Sequence, residues 1–288
     1  MKSLSKSIIH LFAAWGTALL ATGIMSSCNN STFKPADPVY DMRFEVVCTP
    51  NTKSTEFPGE YGVWAYDSKS REAELEGVVL IRQDALWAPE KEYKWEAAKS
   101  LDIYSAAPLS RAVFDEQSGV GFEHYSLSES QDLLYTEPLL NRRSVNSLGV
   151  VSLDFRSALS LVRFNAVSRC AATTQVTVKG LKINGTVQSG SFYSLPSPKW
   201  TLEGECAPLL SFEGSQIIPS DGCLLCEQRL IPQSAMMRLE LSCDFVKDGI
   251  YVRDQVLSTT ILLDLKPGKL YELNLGVYDN YDLKIEKI

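Results

Sequence analysis

The sequence predicts a mainly β protein, and three observations support this fold class. Apolar residues recur at every second position in several segments, most clearly from Met237 to Phe245, as in strands that bury one face. No segment carries a sustained helical heptad. Turn-forming residues separate the alternating runs, and Asn184-Gly185 predicts a two-residue hairpin turn. Sandwich domains are the natural way to bury one face of each strand.

The central segment, residues 150–166, contains two predicted strands with different phases. Val151, Leu153 and Phe155 are apolar between polar neighbours, whereas the apolar positions after residue 157 are even-numbered, as at Phe164. Such a pattern changes phase only through an extra residue or a short turn. We therefore expect the chain to change sheets or domains here, with Phe155 and Phe164 both pointing into a core.

Length, composition and charge limit the classes of protein to which this chain can belong. The 288 residues suffice for two domains of ordinary size, and 45% hydrophobic residues provide ample core material. The formal net charge is −7, and it becomes more negative once a leader with Lys2 and Lys6 is removed. An acidic surface does not favour the phosphate backbone of nucleic acids, so nucleic acid is excluded as a partner.

The N-terminal segment has the order of a secretory leader. Lys2 and Lys6 precede a mostly apolar run, and the sequence MSSC at 25–28 ends it. A membrane-spanning anchor is the alternative, but the run is short, contains glycine and threonine, and lacks a basic cluster after it. Because MSSC resembles a bacterial lipobox, in which the cysteine carries the lipid, Cys28 is the predicted lipid anchor.

These features divide the chain into four parts. Residues 1–27 are the predicted lipoprotein signal peptide, and residues 28–38, polar with two prolines, are the predicted tether. A polar stretch with adjacent arginines, NRRSVNS at 141–147, marks the expected connection between two domains. We therefore expect an N-terminal β-sandwich domain at 39–146 and a C-terminal β-sandwich domain at 147–288.

The mature chain does not carry the signature of an enzyme. Its one histidine, His124, lies in a loop-rich segment without a G-x-S-x-G motif, so a solvated residue is favoured over a Ser-His-Asp triad. Asp132 has no catalytic partner close in sequence and is interpreted as structural. The sequence has no Gly-rich phosphate loop and no H-E-x-x-H motif. No catalytic residue, cofactor or metal ligand is predicted.

The cysteines leave alternatives open. The C-x-x-C pair at Cys223 and Cys226 lacks the second ligand pair of a zinc site and the βαβ context of a redox motif. In an extended strand these two cysteines would face opposite sides. Buried or incidentally paired cysteines are favoured over a structural disulfide that involves Cys206, Cys223 or Cys226. The pairing stays open among six residues: Cys48, Cys170, Cys206, Cys223, Cys226 and Cys243.

Several short motifs are similar to those of one family. An F-x-x-A-L-S-x-V-x-F segment at 155–164 follows a D-L-L-Y element at 132–135. An aromatic segment at 87–95 precedes a strand that ends in Ala-Pro at 107–108, and L-I-P-Q occupies 230–233. In these motifs the chain resembles the fimbrillin-like proteins of Bacteroidetes, which are type V pilus subunits and related lipoproteins.

The resemblance implies a fold, a location and a mode of assembly. It implies two tandem transthyretin-like β-sandwich domains, a place on the exposed side of the cell outer membrane, and a fimbrium if the protein polymerises. The implied partners are other fimbrial subunits, joined by β-strand addition, and host or bacterial surface ligands. Polymerising members lose an N-terminal segment to an arginine-specific protease, and Arg43 is the position that matches. An uncut chain would be an anchor, a tip or a non-polymerising relative.

Strand addition needs a segment that can leave its own sheet, and the ends of the mature chain meet this need. Leu283, Ile285 and Ile288 form the candidate donor or edge strand, and the segment 44–48 behind the tether is a second candidate. The alternative is that both segments close the edges of their own sandwiches.

A surface glycan-binding lipoprotein of β-sandwich fold is the second functional hypothesis. Trp64, Trp87, Trp95 or Trp200 could stack on sugar rings if exposed, whereas burial in the core is the favoured interpretation of each. Two or more coplanar exposed tryptophans would favour glycan binding, and unpaired sheet edges would favour the pilus subunit.

Overall fold

The computed structural model describes residues 37–48 and 60–286. The predicted signal peptide, Cys28 and most of the predicted tether lie outside the described residues. Within them, the predicted mainly β class is confirmed, and the helical elements are three short 3₁₀ turns.

The first twelve strands are β1 (Val39–Asp41), β2 (Arg43–Cys48), β3 (Tyr61–Asp67), β4 (Ala73–Gln83), β5 (Leu86–Pro89), β6 (Lys94–Glu96), β7 (Ser100–Ala107), β8 (Ala112–Asp115), β9 (Gly119–Ser126), β10 (Leu134–Thr136), β11 (Leu139–Arg143) and β12 (Val150–Ser157). The others are β13 (Ser160–Ser168), β14 (Thr174–Tyr193), β15 (Lys199–Ile217), β16 (Cys223–Leu230), β17 (Ser234–Lys247), β18 (Ile250–Asp264), β19 (Leu270–Val277) and β20 (Leu283–Glu286).

Seven strands form a closed ring in the first half of the structure. They pair in the order β10-β12-β2-β5-β4-β3-β7, and β10 also pairs with β7, while β11 continues beside β7. β2 and β12 run parallel to each other. The ring strands and β6 share a core in which Phe44, Tyr61, Trp95 and Phe155 are fully buried.

The later strands form two further sheets around a second core. One sheet has the order β16-β13-β19-β20, with β13 and β19 parallel. The other has the order β18-β17-β14-β9-β8, and β15 pairs along the opposite side of β14. Phe164 and Leu275 from the first sheet and Phe192 and Phe245 from the second are buried in one cluster.

The change of sheet in the central segment is confirmed. β12 belongs to the ring and β13 to the four-stranded sheet, with Ala158 and Leu159 buried at the crossing. Phe155 and Phe164 are both fully buried, as predicted. The phase of the pattern changes because each strand turns its apolar face toward a different core.

Strand pairing crosses the predicted domain boundary in both directions. β9 precedes the boundary and pairs with β14, whereas β12 follows it and pairs with β2 and β10. Phe114 of β8 also stacks on Trp64 and Tyr66 of β3, with ring centroids 5.9 and 5.1 Å apart. These contacts join the ring to the second core. All the described residues belong to one compact unit, which begins at Asp37. The division into domains at 146/147 stays a prediction.

The hairpin predicted at Asn184-Gly185 is wrong. β14 continues through both residues. Its pairing with β15 shifts register between Ile183 and Thr186, and Gly185 has a φ of 89°, so the dipeptide forms a bulge within the strand. The bulge lies where the neighbour of β14 changes from β17 to β9. The positive φ of Gly185, which the sequence suggested for a turn, therefore occurs in a bulge where β14 changes its neighbouring strand.

Candidate assembly surfaces

The C-terminal strand β20 lies at a sheet edge. Among the described residues it pairs with β19 alone, from Asn274 opposite Glu286 to Val277 opposite Leu283. Leu283 is buried and Ile285 is half-buried, whereas Ile288 lies outside the described residues. β20 therefore has the geometry expected of a candidate edge strand, because one side of its backbone is open to pairing.

A cluster of polar side chains fastens the end of β20. The Arg169 guanidinium donates from Nε to Glu286 Oε1 at 2.9 Å and from Nη2 to Oε2 at 2.6 Å. The Tyr278 hydroxyl donates to Glu286 Oε1 at 2.9 Å. The hydrogen bonds from Arg169 hold the pKa of Glu286 below its usual range, with a smaller contribution from Tyr278. We call Arg169, Tyr278 and Glu286 the β20 latch.

The second candidate strand, β2, has a different environment. β12 lies on one side of it over its whole length, from Arg43 to Cys48, and β5 pairs on the other side at Phe44. Phe44 is fully buried in the ring core. The backbone of β2 is thus paired with ring strands on both sides, and its inward side chains are packed in the ring core.

Arg43 stands at the junction between β1 and β2. Its side chain is exposed, and its backbone N–H donates to the Gly149 carbonyl at 3.0 Å. Met42, immediately before it, is buried in the ring core and donates its backbone N–H to Tyr93 O at 3.0 Å. Cleavage after Arg43 would separate β1, Met42 and Arg43 itself from the rest of β2, which stays paired within the ring.

Two long strands also border the six-stranded sheet. Within the described part of the chain, β15 pairs with β14 alone and β18 pairs with β17 alone. Leu210 and Ile217 on β15 and Val256 and Leu262 on β18 are more than half exposed. Pro208 lacks a backbone N–H, so β15 has one hydrogen-bond donor fewer at that position.

The tryptophans named as possible sugar platforms do not form an exposed cluster. Trp64, Trp95 and Trp200 are buried, and Trp87 is half-buried. The indole N–H of Trp200 donates to Ala158 O at 2.7 Å, which fixes that ring in the core. Glycan binding through stacking on these four tryptophans is therefore not supported.

His124 is exposed and makes an ion pair that does not resemble a catalytic triad. Its Nδ1 lies 2.8 Å from Glu203 Oε2, and the Ser191 hydroxyl donates to the other oxygen of Glu203 at 2.5 Å. The hydrogen bond with Glu203 raises the pKa of His124. The hydroxyl of Ser191 is thus bonded to the carboxylate and not to the imidazole base that would activate it.

Asp132 has the structural role expected of it, through partners distant in sequence. Its carboxylate accepts from the Ser157 hydroxyl at 2.9 Å and lies 3.3 Å from Arg229 Nη2. The Asp132 side chain is 7% exposed. Through Ser157 and Arg229, Asp132 links the segment before β10 to β12 and to β16.

The two cysteines of the C-x-x-C pair face the same side, which corrects the expectation of opposite sides. The pairing of β13 with β16 shifts register, so that Cys226 lies opposite Phe164, Leu224 opposite Asn165 and Cys223 opposite Ala166. Both thiols therefore pack against the second core. Burial raises the pKa of Cys226 to about 11, which opposes thiolate chemistry. The six described cysteines are free thiols.

The described residues offer neither a metal cluster nor a membrane-spanning helix. They hold no group of three or more His, Cys, Asp or Glu side chains arranged to share a metal ion. None of their helical elements is long and apolar enough to cross a membrane.

The fold is shared with fimbrial and adhesion proteins of Bacteroidetes. A fimbrial protein from Bacteroides vulgatus superposes with a TM-score of 0.63 at 12% identity, over 86% of this chain and 98% of the other. A protein from Bacteroides uniformis, described as a candidate cell adhesion protein, gives 0.54 at 12% identity, over 86% and 97%. A protein from Bacteroides ovatus with the same description gives 0.53 at 14% identity, over 88% and 96%.

The comparisons confirm, at the level of fold, the resemblance that the motifs predicted. No family model and no curated protein matches the chain. The likeness therefore lies in the arrangement of strands, since identities of 12–14% preserve a fold without preserving a sequence.

Proposed function

We propose that the chain is a non-enzymatic, fimbrillin-like surface lipoprotein that serves as a subunit, anchor or tip of a fimbria. The fold that it shares with a fimbrial protein and with candidate adhesion proteins supports this role. Its partners are other fimbrial subunits and surface ligands, and its place is the exposed face of the outer membrane or the fimbrium. The two domains are transthyretin-like sandwiches that meet near residues 146–147.

The observation that carries the proposal is the position of β20. A strand of four residues at an open edge, paired on one side, can leave its sheet at the cost of one ladder of hydrogen bonds and a partly buried apolar face. The same alternation of Leu283 and Ile285 can then fill alternate pockets of a neighbouring subunit. β20 is therefore the proposed donor strand, and Arg43 the proposed site of proteolytic maturation.

Truncation tests the donor strand. A chain that lacks residues 282–288 loses Leu283 from the second core but keeps the other buried members of that core and the whole ring core, so it is expected to stay folded. It should be absent from higher-order material in a sedimentation assay. Lys284→Ala, which changes an exposed side chain of the same strand, is the matched control and should assemble normally. If the truncated chain assembles like the parent, β20 is not the donor.

The lipid anchor and the maturation site have separate tests. In Cys28→Ala the protein should leave the detergent phase on phase partition, and a variant that stays there as firmly as the parent would refute acylation. Stable attachment needs more than one acyl chain, since a single chain binds marginally. Mass spectrometry of assembled material should find Phe44 as the first residue, and an N terminus at Cys28 would assign the chain to an uncut anchor or tip.

A further inference from the structure

The outer face of the four-stranded sheet carries a polar cavity that strand addition does not explain. Its volume is about 500 Å³, within the range of small-molecule sites. It is lined by Asn165 of β13, Asn274 of β19 and Leu224 of β16, together with Arg169, Asp221 and Glu286.

Two asparagines lie side by side at the base of this cavity. Asn165 and Asn274 are register partners in parallel strands, and Asn165 Nδ2 donates to Asn274 Oδ1 at 3.0 Å. Asparagine is depleted in strands, and the preceding pair on the same face is the ion pair of Arg163 with Glu272, so the amide pair stands out. Departures from local propensity are expected at functional or strained positions.

The amide pair retains hydrogen-bonding capacity. One bond joins the two side chains, although each amide offers two N–H donors and an oxygen with two lone pairs. Within the described part of the chain, Asn165 Oδ1 and Asn274 Nδ2 bond to no other protein group, and Asp221 makes no ion pair. The cavity thus presents a free acceptor, a free donor and a free carboxylate.

The charges of the cavity restrict what it can bind. Arg169 is occupied by Glu286 and also donates to the Ser220 carbonyl at 3.3 Å, so no unpaired cation faces the cavity. An anionic ligand would meet the free carboxylate of Asp221, and the described residues offer no metal cluster. A neutral ligand rich in hydroxyl groups fits best, because each hydroxyl both donates and accepts. Leu224, 48% exposed, provides an apolar wall for its C–H face.

We propose that this cavity binds a neutral saccharide, with Asn165, Asn274 and Asp221 as its hydrogen-bonding residues. Such a site would act without tryptophan, by polar contacts on the outer face of the sheet. Its three hydrogen-bonding residues lie outside both the ring and β20, although Glu286 of β20 also lines the cavity. It would give a surface protein a ligand on cells or on secreted glycans.

Saturation-transfer NMR on the full chain tests the proposal, in a zwitterionic detergent without a sugar headgroup. The probes are D-mannose, D-galactose, L-fucose and N-acetyl-D-glucosamine, and at least one should bind with a Kd of about 1–10 mM. Asn274→Ala should weaken that sugar about fivefold, and Asp221→Ala about tenfold, because each removes one polar contact. Asn146→Ala, the same change at an exposed asparagine outside the cavity, is the matched control and should bind like the parent.

The outcomes separate this proposal from its competitors. Circular dichroism shows whether Asn274→Ala is folded, and Asp221→Ala, an exposed loop variant, keeps the test decisive if it is not. The proposal is overturned if none of the four sugars binds, or if binding is unchanged in both variants. It is also overturned if both variants lose assembly while sugar binding stays intact, which would assign the face to contacts between subunits. Because removal of residues 282–288 would delete Glu286 from the cavity lining, sugar binding is measured on the full chain, and its result does not depend on whether the truncated chain assembles.

Discussion

The two ends of the described chain enter their sheets in opposite ways. β2 lies inside a closed ring, between β12 and β5, and buries Phe44 completely. β20 lies at the edge of its sheet, paired with β19 alone in the described structure, and is held by that pairing, by the burial of Leu283 and by the β20 latch. The same alternating pattern thus produces an enclosed strand in one case and an edge strand in the other. The difference lies in what surrounds each strand, and not in its sequence.

Alanine substitutions should show the difference between β2 and β20 most clearly. Phe44→Ala removes a fully buried ring from the core and should lower the free energy of unfolding by about 3–5 kcal/mol. Ile285→Ala removes a half-buried side chain at an edge and should cost about 1–2 kcal/mol. Urea denaturation measures both losses.

Val47→Ala is the control for β2, because Val47 lies on the same strand and is 43% exposed. It should change the stability far less than Phe44→Ala. Equal losses for Phe44→Ala and Ile285→Ala would mean that β20 is as integral as β2.

The β20 latch should respond to substitution and to acid. Arg169→Gln removes the main hydrogen bonds to Glu286 and should loosen β20, with a fall in thermal midpoint smaller than that of Phe44→Ala. Because the pKa of Glu286 is held below its ordinary value of 4.5, the contribution of the latch is present above pH 4.5. It is lost as the pH falls through the lower folded value.

Thermal melts at pH 7 and at about pH 3 check this prediction. The difference between the parent chain and Arg169→Gln should be larger at pH 7. Arg253→Gln, at an exposed arginine of β18 that makes no ion pair among the described residues, is the control. A difference that grows on acidification would contradict the latch.

The smallest expected effect belongs to the pair of His124 and Glu203. The folded pKa of His124 is raised above its ordinary value of 6.5, so its contribution to stability is fully present below pH 6.5 and is lost as the pH rises through the folded value. The difference in thermal midpoint between the parent and His124→Gln should therefore be larger at pH 5.5 than at pH 8. The reverse order would show that the ion pair does not stabilise the fold.

The sequence predicts local features of this fold well and non-local ones poorly. Alternation identified the central strands and the inward faces of Phe155 and Phe164, since each depends on neighbours within a few residues. It could not predict the bulges at Gly185 and in β16, because a bulge is decided by the partner strand. The hairpin at Asn184-Gly185 and the opposite faces of the C-x-x-C pair were wrong for this reason.

The candidate sites show the same limit. The motifs and the terminal position of β20 are readable in the sequence. The partners of Asp132 and Glu286 are not, because Arg229 lies 97 residues from Asp132 and Arg169 lies 117 residues from Glu286. Asn165 and Asn274 are likewise 109 residues apart, and their single signal is an asparagine within each apolar alternation.

Native-state hydrogen exchange compares the two strands most directly. Local opening of an edge strand exposes its amides without unfolding the core, whereas an enclosed strand exchanges with the whole domain. We predict that the amides of β20 lose protection through local opening, at a free energy well below that of global unfolding. The amides of β2 should exchange at the global value. If β20 and β2 are equally protected, β20 is an integral strand and not the part of this protein that assembles.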